Sequence, residues 1–223
     1  MTPLWPLDTL PPRKLLFNLA SRSLSGPPAV SGAVQAVSSD AGIWQATYDA
    51  IPVHGAQRVK LWRGIAQLLE GRLRSILLPV SNRYQPIPDA YRPLLAPVPH
   101  SDHAFLGDGS GYVSQIVDAT LASSVALRAV SASINIQHSD HLEPGQDFSI
   151  GERLYRIRTV TYTSDTAANI TFRPPLREAA SAGTRLEFDR PVCRMRLATD
   201  REMDLDLDYD LWGFPSINFV EDV

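Results

Sequence analysis

Gly145-Gln146-Asp147-Phe148-Ser149-Ile150-Gly151-Glu152-Arg153-Leu154-Tyr155-Arg156-Ile157 is the stretch whose reading decides the fold. Leu142-Glu143-Pro144-Gly145-Gln146-Asp147 has turn composition, and Phe148-Ser149-Ile150 then reads as a short strand. Gly151-Glu152 fits a two-residue hairpin connection. Beyond it Leu154, Arg156, Arg158, Val160 and Tyr162 continue a strand. The same grammar recurs on both sides. Residues 124–130 and 133–137 form short alternating runs, and Asn169-Ile170-Thr171-Phe172 is another before Pro174-Pro175-Leu176-Arg177 breaks it. Leu186, Phe188 and residues 192–197 add further strands. Short strands with turn signals every eight to twelve residues, about the spacing of all-β folds, predict a small barrel or sandwich over residues 101–197.

The N-terminal part reads differently. Leu15, Phe17 and Leu19 alternate with Lys14 and Asn18, as in a half-buried strand. After the turn cluster Ser25-Gly26-Pro27-Pro28, a hairpin is expected from Ala33-Val34-Gln35-Ala36-Val37, a Ser39-Asp40-Ala41-Gly42 turn and Ile43-Trp44-Gln45-Ala46-Thr47-Tyr48. Val59, Trp62, Ala66 and Leu69, widened by Ile65 and Leu68, recur at helical spacing and predict a helix over about residues 56–70. Gly71 stands where a left-handed cap belongs. Ser75-Ile76-Leu77-Leu78-Pro79-Val80 returns as a strand. The result is an α+β unit, one helix laid on a sheet.

Between them, residues 81–111 hold Pro86, Pro88, Pro93, Pro97 and Pro99, then Gly107-Asp108-Gly109-Ser110-Gly111. Proline excludes helix interiors and central strands, so irregular chain and a domain boundary are expected there. The C-terminal Met203-Asp204-Leu205-Asp206-Leu207-Asp208-Tyr209-Asp210-Leu211 alternates strictly and predicts a strand returning to the first sheet, its aspartates guarding an edge. The fold expected is therefore mainly β with one principal helix. A first domain spans residues 1–100 and is completed by 198–223; a β-barrel-like second domain occupies 101–197.

Composition narrows function. With 21 Lys+Arg against 24 Asp+Glu the net charge is −3, which gives no reason to expect nucleic acid as a partner. The lysines are Lys14 and Lys60 alone; the other basic residues are arginines, whose rigid donor fork suits protein interfaces. One cysteine, Cys193, excludes an internal disulfide framework and multi-thiolate zinc, and reads as a buried core thiol. No window approaches the roughly 18 apolar residues that cross a bilayer, and Met1-Thr2-Pro3-Leu4-Trp5-Pro6 is no signal peptide. A protein made in a reducing cytosol, with no membrane insertion, is expected.

His-Ser-Asp-His occurs twice, with His100 and His103 in one copy and His138 and His141 in the other. Paired imidazoles with a carboxylate are metal-ligand chemistry. Ser-Asp is equally a turn dipeptide, and neither copy has a helix to fix ligand spacing, so no metal or other cofactor is expected. Gly109-Ser110-Gly111 lacks the nucleophile-elbow pattern, and the C-terminal aspartates lack EF-hand order. No catalytic residue emerges. Trp44 and Trp62 read as core; Trp5 and Trp212, near the termini, are candidate interface anchors. Tyr84 and Tyr91 in the proline-rich segment are candidates for a carbohydrate or receptor contact.

Gly145 to Ile157 as quoted resembles a recurring pattern in tail proteins of bacteriophages and prophages. So do Ile170-Thr171-Phe172-Arg173-Pro174-Pro175-Leu176-Arg177 and Arg190-Pro191-Val192-Cys193-Arg194-Met195-Arg196-Leu197. Upstream, Ser31-Gly32-Ala33-Val34-Gln35, Trp44, Leu61-Trp62-Arg63 and Glu70-Gly71-Arg72 fit as well. Together they resemble the distal tail, or tail-tip, family of long-tailed phages. The resemblance implies an N-terminal belt domain that assembles into a homohexameric ring beneath the tail tube, and a second β domain projecting outward. It implies tail tube, hub and other tail-tip proteins as partners, and the virion as location. It supplies no catalytic residues. A receptor- or carbohydrate-binding module contacting a host glycan is the alternative, and a metal-dependent enzyme built on the His-Ser-Asp-His segments a distant third.

Overall fold

The computed structural model describes residues 2–26, 36–81, 83–96, 98–99, 101–102, 104–107, 111–112, 114–208 and 212–223, with backbone alone for 21–25 and 36–41. The chain is mainly β with one principal helix, and its sheets include a curled half-barrel. In chain order come β1 (Lys14–Ser25), β2 (Ala36–Asp49), β3 (Val53–His54), α1 (Gly55–Leu69), β4 (Ile76–Pro79) and a 3₁₀ segment, Asp89–Leu95. Then follow β5 (Asp118–Leu121), β6 (Ser131–His138), β7 (Asp147–Ile150), β8 (Arg153–Ser164) and β9 (Ala167–Arg173). The last are β10 (Val192–Leu197), β11 (Trp212–Gly213) and β12 (Ile217–Glu221).

Two compact units result. Unit 1 is Met1–Val80 with Val192–Val223, and unit 2 is Ser81–Pro191. The divisions expected after residues 100 and 197 are thus displaced. Residues 81–100 go with unit 2 because Ile87 is buried in its core, the Asp140 amide donates to the Pro86 carbonyl, and Arg190 donates to the carbonyls of Leu95 and Ser114. The 3₁₀ segment also shows that the prolines did not abolish regular structure. Pro93 sits inside it, where its missing N–H costs only one short-range bond. Residues 192–197 go with unit 1 because β10 pairs with both β4 and β12.

Unit 1 is a five-stranded antiparallel sheet in the order β1-β2-β12-β10-β4, beside the two-stranded β11-β3. Period-two patterning puts Trp44, Ala46 and Tyr48 of β2 inward, with Ile217 and Phe219 of β12, and Cys193, Met195 and Leu197 of β10. Trp5, Tyr48, Trp62 and Phe219 meet edge to face, at centroid distances of 5.7 to 6.2 Å. Glu221, buried at the end of β12, accepts the Trp44 amide at 3.0 Å, so its carboxylate takes over where the ladder stops. α1 buries Trp62, Ile65 and Leu69, and the Trp62 indole donates to the Met203 carbonyl at 2.9 Å. Its end lies one residue earlier than expected. Glu70 already holds the left-handed conformation, Gly71 repeats it at φ +66°, and a β-carbon there would stand 2.8 Å from an Asp200 oxygen.

Three expectations for unit 1 are corrected. Residues 39–42 form no turn: β2 continues through them with a bulge that sets Asp40, Ala41 and Gly42 opposite Ser21, and Ser38 and Ser39 pair with Ser23 and Arg22. Gly42 serves close cross-strand approach instead, since a β-carbon there would meet the Leu19 side chain at 3.0 Å. The hairpin is thus β1–β2, and Ala33, Val34 and Gln35 lie outside the described residues. Residues 203–208 are not a strand; 209–211 lie outside the described residues. Leu205 and Leu207 satisfy their alternation by packing against Gly213, without a ladder. The strand that returns to the first sheet is β12, which pairs with β2.

Unit 2 is an antiparallel sheet in the order β5-β6-β9-β8-β7, with the expected Gly151-Glu152 connection between β7 and β8. The stretch around residue 186 is not a ladder strand, yet it matters more than one. The Leu121 amide bonds Thr184, the Leu186 amide bonds Ala119, and Glu187 exchanges both bonds with Ser149. One segment thereby covers both edges, β5 and β7. Residues 124–130 are likewise not a strand; Val125 makes an isolated bridge to Ala180. The core gathers Phe148, Tyr155, Phe172 and Phe188, with ring centroids 5.4 to 5.7 Å apart. Asp189, fully buried, accepts the amides of Ile116 and Val117 at 2.8 and 2.9 Å.

Candidate functional site

β11 is only two residues long, and it builds the most distinctive surface of unit 1. Its register places Trp212 directly across from His54. The two rings stack at 4.1 Å, as close cross-strand neighbours can. Phe214 stacks beyond Trp212 at 6.2 Å, and the Arg13 guanidinium lies over Phe214 at 4.6 Å. At the other end, Arg58 donates to His54 Nε2 at 2.9 Å. The stack therefore reads His54, Trp212, Phe214, Arg13, with Arg58 bonded at the edge of the His54 ring. Trp212 and Phe214 remain 44% and 45% exposed, a large apolar area to leave in water.

A cavity of about 430 Å³ opens beside this stack, lined by Asp204, Asp206, Asp208, Trp212 and Phe214 among others. The carboxylates come from the irregular segment after Met203, and Gly213 holds that segment against β11. A β-carbon at position 213 would lie 2.6 Å from the Asp206 carbonyl oxygen, so only glycine permits the approach. Asp204 is ion-paired with Arg201, and Glu202 accepts from Asn218 and Thr199. Asp206 and Asp208 are exposed at the cavity. The arrangement is an acidic recess with an aromatic wall, suited to a cationic side chain.

The interface candidates separate. Trp212 is on the surface, but Trp5 is 1% exposed and its indole donates to the Leu10 carbonyl at 3.1 Å. It is a core residue, because the N-terminal segment pairs with β4 through Leu77 and carries the ring inward. Trp44 and Trp62 are fully buried. Of the histidines, His100 and His103 lie outside the described residues. His138 meets Tyr91 edge to face at 5.5 Å, and His141 stacks on Tyr162 at 4.6 Å. Among the described residues, no three His, Cys, Asp or Glu side chains gather as metal ligands would. Tyr84 is 80% exposed. Cys193 is buried near Tyr48, whose hydroxyl donates to the Pro79 carbonyl at 2.7 Å; burial first, then the thiol, push that phenol far above its ordinary range.

Sequence reasoning missed Phe214, His54, Arg13 and the recess. The alternation places Asp206 and Asp208 on a solvated strand edge, and the signal that could have found the aromatic pair is the Trp212-Gly213-Phe214 sequence. No protein-family model matches the chain, and no curated protein matches its sequence. Among the described residues no helix is long and apolar enough to cross a membrane.

Proposed function

We propose that this chain is a structural subunit of a phage or prophage tail tip, a distal tail protein whose copies form a ring between the tail tube and the distal hub. The role is architectural and not enzymatic, and its place is the virion, after synthesis in the host bacterial cytoplasm. The observation that carries the reading is the interrupted first unit. A helix-bearing sheet is begun by residues 1–80, completed by 192–223, and has a separate β unit inserted between. The resemblance implies a belt domain with a second β domain, and a two-unit chain accords with that.

The first sheet adds a second support. β12 pairs with β2 only from Gln45 to Tyr48, whereas β1 and β2 pair from Lys14 and Asp49 out to Ser25 and Ala36. From Ala20 outward the two strands form a ribbon with no third strand among the described residues, reaching about 20 Å at 3.4 Å per residue. Such a ribbon, with no strand beyond β1 among the described residues, is a means of binding a neighbour. Native mass measurement of the purified protein and imaging of tails test the reading. A closed oligomer, six copies being expected, that is also present in tail particles supports it; a strict monomer absent from tails refutes it.

The exposed Tyr84, with Tyr91, favours a second reading in which unit 2 contacts a host glycan. A glycan screen without binders, and adsorption unchanged after Tyr84→Ala and Tyr91→Ala, would dispose of it.

A further inference from the structure

We infer that the acidic aromatic recess beside β11 receives the basic outer face of α1 from a second copy of this chain, in a head-to-tail contact. The inference rests on the subunit reading above and names the two surfaces that meet. α1, Gly55–Leu69, carries Arg58, Lys60 and Arg63 and no acidic residue. Arg58 is committed to the Pro52 carbonyl and His54. Lys60 and Arg63 are exposed, and among the described residues no carboxylate pairs with either. Ala56, Lys60, Arg63 and Gln67, at helical spacing, form one face with them.

The recess is the complement. Arg201 in its lining is paired with Asp204, so among the described residues it offers Asp206 and Asp208 without a paired cation, and an aromatic wall against which a guanidinium or a lysine stem can lie flat. Arg13 over Phe214 is that contact already made once within the chain. Trp62 lies on the opposite side of α1 from Lys60, and it is Trp62 that bonds Met203, where the acidic segment begins. The two patches therefore flank the helix from opposite sides. A basic face on one flank and an acidic recess on the other cannot satisfy each other within one copy. Between copies they generate a heterologous contact, the kind that closes into rings. Opposite charge here also sets orientation, because reversing a subunit would bring like charges together.

The test is a pair of charge reversals in the full chain, K60E/R63E and D206K/D208K, all at exposed positions. Circular dichroism first establishes that both variants keep the wild-type fold. Each alone is expected to lose self-association, with the midpoint concentration rising at least about tenfold by mass photometry. Mixed in equal amounts they should reassemble, since each variant's helix then faces a recess of opposite sign. Assembly of either variant alone at wild-type concentrations overturns the inference while leaving the subunit reading intact, and so does a mixture that stays dissociated. A wild-type chain that is monomeric at every concentration overturns both.

Discussion

Replacing Asp189 with alanine would remove the buried carboxylate that ties the end of the edge-closing segment to the start of β5. Its carboxylate is fully buried, accepts the Ile116 and Val117 amides, and takes a longer bond from Arg185 at 3.4 Å. Arg185 has Glu187 at 3.0 Å as a second partner, so the loss falls mainly on the two amides. Each buried amide left without an acceptor costs about 1–3 kcal/mol, which sums to about 2–6 kcal/mol. Against a typical stability of about 5–15 kcal/mol, that is a large fraction. Asp189→Asn keeps one acceptor oxygen but turns an N–H₂ toward the other amide, so about half the loss is expected. Urea unfolding followed by circular dichroism gives the stability change, and hydrogen exchange at Ile116 and Val117 shows whether it arises there. A loss below about 1 kcal/mol, or unchanged protection of those two amides, would refute the reasoning.

Trp5 and Trp212 should behave oppositely. Trp5→Ala, in the edge-to-face cluster, is expected to cost about 3–5 kcal/mol in urea unfolding, and Trp212→Ala about 1 kcal/mol or less while weakening self-association. Gly213→Ala drives a β-carbon onto the Asp206 carbonyl, so a loss of about 1–3 kcal/mol and altered Trp212 emission are expected. Tyr48 gives the pH dependence. Its phenol is raised above the ordinary value of 10.0, so its contribution is fully present below about pH 10. Above that the unfolded chain ionises and the folded one does not, so stability falls as pH rises. Tyr48→Phe should flatten that alkaline decline, measured as the urea midpoint from pH 9 to about 11.

The elements legible in the sequence were those whose side-chain period matched a single buried face. β2 around Trp44, α1 around Trp62 and the β7–β8 hairpin belong here, because each pattern needs only its own residues to be read. The alternation over residues 203–208 misled for a definite reason. A period of two requires that alternate side chains find apolar cover, and Gly213 provides it beside a backbone bond from Asp208 to Trp212, without a strand ladder over the described residues 203–208. Gly42 misleads in the same way: glycine in a Ser-Asp-Ala-Gly run is ordinary turn chemistry, and here it lies in a bulge of β2 against the Leu19 side chain.

The candidate site was largely illegible. Trp212 could be singled out by its context, but Trp5 looked the same, and the two were separated only by whether the backbone carries the ring inward. That is decided by pairing between Trp5 and Leu77, distant in sequence. The stack of His54, Trp212 and Phe214, and the recess beside it, exist only because β3 and β11 pair across more than half the chain.

By itself, then, the sequence determined the class of fold, its one helix and the lack of any recognisable catalytic motif, since periodicity and residue chemistry are local properties. The tertiary structure alone decided where the units divide, how a non-strand segment covers both edges of the second sheet, and which aromatic residues face water. Those outcomes depend on contacts between residues far apart in the chain, and no local pattern records them.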